Sequence, residues 1–188
     1  MRGALAAVVI VAVVVVVLLA VYLVVLYNRL VGLRNRIENA WAQIDVQLRR
    51  RYDLIPNLVE TVKGYAAHEQ ETLERVVAAR QRGIAADTVP TQAQAENQIT
   101  GALRQLFALS EAYPQLRANE NFLQLQDELA ATESRIAYAR QFYNDAVVRY
   151  NTRIETIPDV LLAKALGMEP REYFEVEGEA AGPVEVQF

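Results

Sequence analysis

His68 is the single histidine of this chain and cysteine is absent, so the chemistry open to its residues narrows at once. Without thiols there can be no disulfide framework, no cysteine nucleophile and no thiolate metal site. A helical di-iron centre needs two Glu-x-x-His pairs on different helices; here position 65 is Tyr, and no second histidine exists. A Ser-His-Asp set would have to join Ser110 or Ser134 to His68, yet neither serine sits in the Gly-x-Ser-x-Gly elbow that exposes a nucleophilic hydroxyl. No G-x-x-x-x-G-K-S/T or G-x-G-x-x-G loop offers a phosphate cradle. The sequence therefore predicts no catalytic residue, no metal ligand and no cofactor. A hydrolase built on Glu69 or Glu133 with a metal is the weakest reading it leaves.

Polar residues at apolar spacing carry more information. Glu69 lies seven residues from both Val62 and Val76, on an apolar stripe where a carboxylate needs a partner. Glu133 and Arg140 are seven apart, as are Asn144 and Asn151, which follow Tyr143 and Tyr150. Buried polar groups so placed fix helix register and partner choice. The alternative is a ligand groove lined by Tyr143, Asn144, Tyr150 and Asn151. Arg49, Arg50, Arg51 and Asp53 precede Pro56 and Asn57 and read as a solvated corner or a docking patch. Trp41 stands on the stripe of the helix before them. These residues form the expected interaction or register-fixing set.

Helices must position them. Ala4 to Tyr27 carries no charge and is mostly Val, Leu and Ala, long enough for a transmembrane helix, with Tyr22 and Tyr27 suited to the headgroup layer. The run exceeds a signal-peptide core and is closed by no A-x-A-like site, so a retained single-pass anchor is expected. Leu30, Leu33, Ile37, Trp41, Ile44 and Leu48 continue at helical steps. Pro56 marks a reversal, with Asp53 capping a new helix; a kinked continuous helix is the alternative. That second helix carries Leu58, Val62, Tyr65, Ala66, Leu73, Val76 and Val77 and ends at Gly83. After a loop from Ile84 to Pro90, Thr91 and Gln94 fit a capping box for a third helix, which Pro114 stops. Asn119 caps a fourth, where Phe122, Leu129, Ile136, Tyr143, Tyr150 and Ile157 recur every seven residues until Pro158. That period implies coiled-coil-like packing.

The expected fold is all-α: an anchor over 1–27, an antiparallel up-and-down four-helix bundle with long coiled-coil-like helices over 28–157, and a short amphipathic segment plus acidic extended tail over 158–188. The fourth helix should be roughly 57 Å long and the third roughly 33 Å. The apolar overhang calls for cover by a neighbouring subunit.

Charge bounds the partners. The net charge is −4, and residues 169–188 hold six Glu and one Arg. No basic face for nucleic acid is indicated. Arg29, Arg34 and Arg36 follow the span, whereas Arg2 and the amino terminus precede it, a three-to-two balance that leans toward a cytoplasmic bundle.

Residues 49–59 (Arg-Arg-Arg-Tyr-Asp-Leu-Ile-Pro-Asn-Leu-Val) and Lys63-Gly64-Tyr65-Ala66-Ala67-His68-Glu69 resemble the LemA family signature. So does a second block of Glu133-Ser134-Arg135-Ile136, Ala139-Arg140, Tyr143-Asn144, Val147, Tyr150-Asn151 and Pro158. The resemblance implies a four-helix up-and-down domain at the bacterial cell (inner) membrane and supplies no reaction. A relative with this domain takes part in forming magnetosome membranes, which points by analogy to membrane organisation. A non-catalytic scaffold is therefore expected, with lipid and further copies of itself as partners. An adaptor for another membrane protein, such as a protease or transporter, is the alternative.

Overall fold

The computed structural model describes residues 2–175, and every regular element among them is a helix. These are α1 (Arg2–Lys63), α2 (Gln70–Ala85), α3 (Val89–Leu109), the single turn α4 (Pro114–Arg117), α5 (Glu120–Glu155) and α6 (Asp159–Ala165). They sort into two compact units. Unit 1 comprises Met1–Asn39 with Asp145–Arg171, and unit 2 comprises Ala40–Asn144 with Glu172–Phe188. The acidic tail expected beyond residue 175 lies outside the described residues.

Helix α1 contains both expected span boundaries, Ala4 and Tyr27. Valine is a mediocre helix former in water, but in lipid a backbone must satisfy its own polar groups, which the helix does. From Val9 to Val25 the large apolar side chains are exposed on all sides. This is the pattern of a helix meant for an apolar solvent. By length and composition, α1 can cross a membrane.

The reversal expected at Pro56 does not occur, because α1 runs through it to Lys63. The proline removes the N–H that would bond the Tyr52 carbonyl four residues earlier. Arg80 Nε supplies the missing donor, 2.7 Å from the Tyr52 carbonyl oxygen. Asp53 caps nothing there, and Arg49 to Asp53 is mid-helix rather than a corner. Beyond Lys63 the chain turns, and α2 begins only at Gln70. Glu69 thus sits at the mouth of α2 and not on a helical stripe. Its Oε1 accepts from the Tyr113 hydroxyl at 3.0 Å.

Gly83 does not end α2 but lies inside it, buried. A Cβ there would come within 2.7 Å of the Tyr52 hydroxyl. The capping box sits three residues before the expected one: Thr88 is the N-cap of α3, with Thr91 as its reciprocal partner. Pro90 is absorbed in the first turn, where its missing N–H is harmless. Asn119 does cap α5, its Oδ1 accepting from Phe122 N–H at 2.9 Å.

Along α5 the seven-residue ladder from Phe122 through Leu129, Ile136 and Tyr143 to Tyr150 is buried. Ile157 lies past the helix end and is 85% exposed. Unit 2 buries Ile44, Leu48, Ile55, Leu58, Val76, Ile99, Leu106, Phe122 and Ile136, drawn from α1, α2, α3 and α5. Unit 1 buries Leu26, Leu30 and Ile37 of α1, Val147, Tyr150 and Ile154 of α5, and Ala163 of α6. The expected overhang is therefore already covered within the single chain. Helix α1 extends far enough to supply apolar residues to both units, so the α5 seam needs no neighbouring subunit to hide it. Arg153 of α5 lies with Nε 3.1 Å from the fully buried Asp159 Oδ2. This is a charge contact whose N–H is not aimed well enough to count as a hydrogen bond.

Candidate functional site: a closed polar cluster and two asparagine clamps

In unit 2, the middle residue of the arginine triplet turns inward. Arg51 is 3% exposed, with Nη1 2.9 Å from Glu96 and 3.0 Å from Glu133, and Nη2 donates to Thr100 Oγ1 at 2.9 Å. Its neighbour Tyr52 donates its hydroxyl to the other Glu96 oxygen. Gln92 Nε2 donates to the Tyr52 oxygen at 2.7 Å, to Glu96 at 3.1 Å and to the Gly83 carbonyl at 3.3 Å. The cluster thus ties α1 to α2, α3 and α5. Gly83 is required because nothing larger leaves room for the Tyr52 hydroxyl. Burial pushes the Glu96 carboxyl above its ordinary range, opposed by the Arg51 charge and by hydrogen bonds from Tyr52, Arg51 and Gln92. Burial, and then the adjacent Glu96 charge, raise the Tyr52 phenol well above its usual value.

Chemically the set could hold a proton between carboxyl and phenol. All four central side chains are buried, however, and a reaction needs a reagent within reach. The arrangement is a fastening. Sequence spacing had drawn attention to Arg51 and Glu133 but missed Tyr52, Gln92 and Glu96. The signal was present: Gln92 and Glu96 extend the Ile99, Leu103, Leu106 stripe of α3 backward at helical steps.

The other expected residues separate. Arg49 pairs with Asp45 on its own helix at 2.8 Å, and Arg50 lies 3.8 Å from Glu128. Asp53, Pro56 and Asn57 are exposed; the Asn57 carbonyl accepts from Thr61 Oγ1 within the helix. Arg140 is half-buried on α5. Among the described residues no three of His, Cys, Asp and Glu gather as a cation site. The Ser110 and Ser134 hydroxyls bond to carbonyls of their own chain segment.

The two asparagines share a function that spacing alone did not reveal. In unit 2, Asn144 Nδ2 donates to the Phe174 carbonyl at 3.1 Å, and its Oδ1 accepts from Phe174 N–H at 2.9 Å. The Tyr143 hydroxyl donates to the Glu172 carbonyl at 3.0 Å. Phe174 is 1% exposed, its ring 6.0 Å from that of Trp41, which in turn meets Tyr143 edge-on at 5.6 Å. In unit 1, Asn151 makes the same pair of bonds to Arg171, 2.9 Å to its carbonyl and 2.8 Å from its N–H. Tyr150 is buried there. An asparagine presents one donor and one acceptor side by side, so it reads a main chain as a neighbouring strand would.

The LemA family model matches residues 40–188. Protein LemA of Metamycoplasma hominis is 29% identical over 145 residues, covering 75% of this chain; the chain spans 65% of that relative's length. Magnetosome protein MamQ 2 of Paramagnetospirillum magneticum is 25% identical over 209 residues, 97% of this chain and 77% of its own. Magnetosome protein MamQ of Magnetospirillum gryphiswaldense is 24% identical over 174 residues, 79% of this chain and 64% of its own. None of these names denotes a reaction. With most of its length matched by the family model, the chain belongs to the LemA family.

Proposed function

We propose that this chain is a non-catalytic, membrane-anchored helical scaffold that self-associates and organises the bacterial cell membrane or proteins in it. The observation that carries the reading is the uniformly exposed apolar surface from Val9 to Val25 at the start of a helix that runs on to Lys63. Such a surface demands lipid, and one end of the same helix is built into folded protein. The two magnetosome relatives support a part in membrane organisation. We place unit 2 on the cytoplasmic side, following the arginines after the span.

Self-association has a surface in unit 2. Ala42, Val46 and Gln47 of α1 and Arg135, Tyr138 and Phe142 of α5 line an open groove. Val46, Tyr138 and Phe142 are 60%, 75% and 54% exposed. Exposed aromatic residues on a polar-rimmed surface mark interaction sites, and tethering in a membrane adds many weak contacts together. The mass of the full-length protein in mild detergent, followed over concentration, tests this. Assembly that Phe142→Glu weakens tenfold or more is expected, and a single copy at every concentration rejects it. The same groove favours the second reading, an adaptor for another membrane protein, which predicts one stable partner and no homo-oligomer.

A further inference from the structure

In unit 2 the segment Glu172–Phe174 is held almost as a bound peptide would be. Among the described residues, polar contacts to its main-chain atoms come from Asn144, which makes two, and from Tyr143, which makes one. Of the residues from Glu172 to Glu175, only Phe174 is buried, against Trp41; Glu172, Tyr173 and Glu175 face out. Main-chain hydrogen bonds for affinity and one pocket for an alternate side chain are the rules by which protein surfaces take extended peptides. Nothing in these contacts depends on the segment belonging to the same chain.

We propose that Trp41, Tyr143 and Asn144 form a docking site for an extended peptide that buries one aromatic side chain. Its occupant in the assembled protein is the Glu172–Glu175 segment of a second copy. The sequence the site accepts is given by the segment seated in it. The preceding connection turns at Gly167, whose φ of +63° is the left-handed conformation glycine adopts freely. A rotation there redirects the segment and releases the Asn151 bonds to Arg171 and the Met168 N–H bond to the Ala163 carbonyl, while α6 itself ends at Ala165. Exchange of an identical element between copies is a low-cost route to assembly. A shared membrane raises the effective concentration that exchange needs.

This inference rests on the self-association reading and is tested so that the two can fail separately. Full-length Phe174→Ala keeps the site and damages the occupant; full-length Asn144→Ala keeps the occupant and damages the site. The two carry different tags and are mixed in mild detergent, with far-ultraviolet circular dichroism confirming that both are folded. Where Phe174→Ala does not fold, Phe174→Leu replaces it. Both also carry Phe142→Glu to silence the groove, so each variant alone is expected to run as single copies, while the mixture yields mixed pairs at least tenfold above either alone. A folded mixture without mixed pairs overturns the exchange, and if wild type still assembles, the scaffold reading survives it. Mixed pairs from variants whose wild type stays monomeric leave the docking site standing and remove the scaffold.

Discussion

At the scale of single residues, the consequential choice is Glu96. Folded, it keeps its proton to higher pH than when unfolded, because burial disfavours its charge. Between the ordinary Glu range and that raised value the folded state binds more protons, so stability falls as pH climbs through the window and levels off above it. The difference in stability between wild type and Glu96→Gln, followed by denaturant unfolding from about pH 4 to about pH 8, should carry this slope. A constant difference would remove the carboxyl from the account. Truncating its partner is harsher: Arg51→Ala leaves buried acid unpaired and should lose about 3–5 kcal/mol. Gly83→Ala would force the Tyr52 hydroxyl aside, since the added carbon has 2.7 Å where contact needs more. A loss of about 1–3 kcal/mol by denaturant midpoint is expected, against a gain if only helix propensity mattered. The sequence made Arg51 and Glu133 visible through charge spacing. Tyr52 and Gly83 could not be paired from it, because their contact depends on how α2 returns against α1.

At the scale of elements, Pro56 misled, while periodicity held along α5 as far as Tyr150 and failed at Glu69 and Ile157. The buried ladder of α5 and the stripe of α1 were legible because apolar spacing reports directly on which face is dry. The reversal at Pro56 was not, because the compensating donor Arg80 lies on another helix. A double-mutant cycle follows from that bond. Arg80→Ala should lose about 1.5–3 kcal/mol in wild type, the range for a bond from a charged donor, and less than half of it in Pro56→Ala, where a restored N–H meets the same carbonyl. Equal losses in both backgrounds would mean that Arg80 does not compensate for the proline. Likewise the polar spacing of Asn144 and Asn151 was plain, but their targets are main-chain atoms of Phe174 and Arg171. Main-chain partners leave no signature in side-chain pattern.

At the scale of the whole molecule, the long apolar N-terminal helix and the all-helical character of the described residues were readable from the first residues onward, and the family match agrees with the motifs at Arg49–Val59 and Glu133–Pro158. The chain's two units were not readable, because each draws on helices remote in sequence. Membranes washed with alkaline carbonate should retain the full-length protein, and deletion of residues 2–27 should release it to the supernatant. Recovery of intact protein in the wash would show that the apolar stretch is not embedded.

The hold of Asn151 on Arg171 has a bearing on the chain's durability. Trypsin would cut after this arginine, and a protease grips its target by the very N–H and carbonyl that Asn151 already occupies. Scission between Arg171 and Glu172 must therefore wait for the clamp to open. Asn151→Ala should be clipped there severalfold faster, while arginines on the exposed faces of helices set the baseline. One amide side chain thereby serves as a guard over a bond it does not belong to.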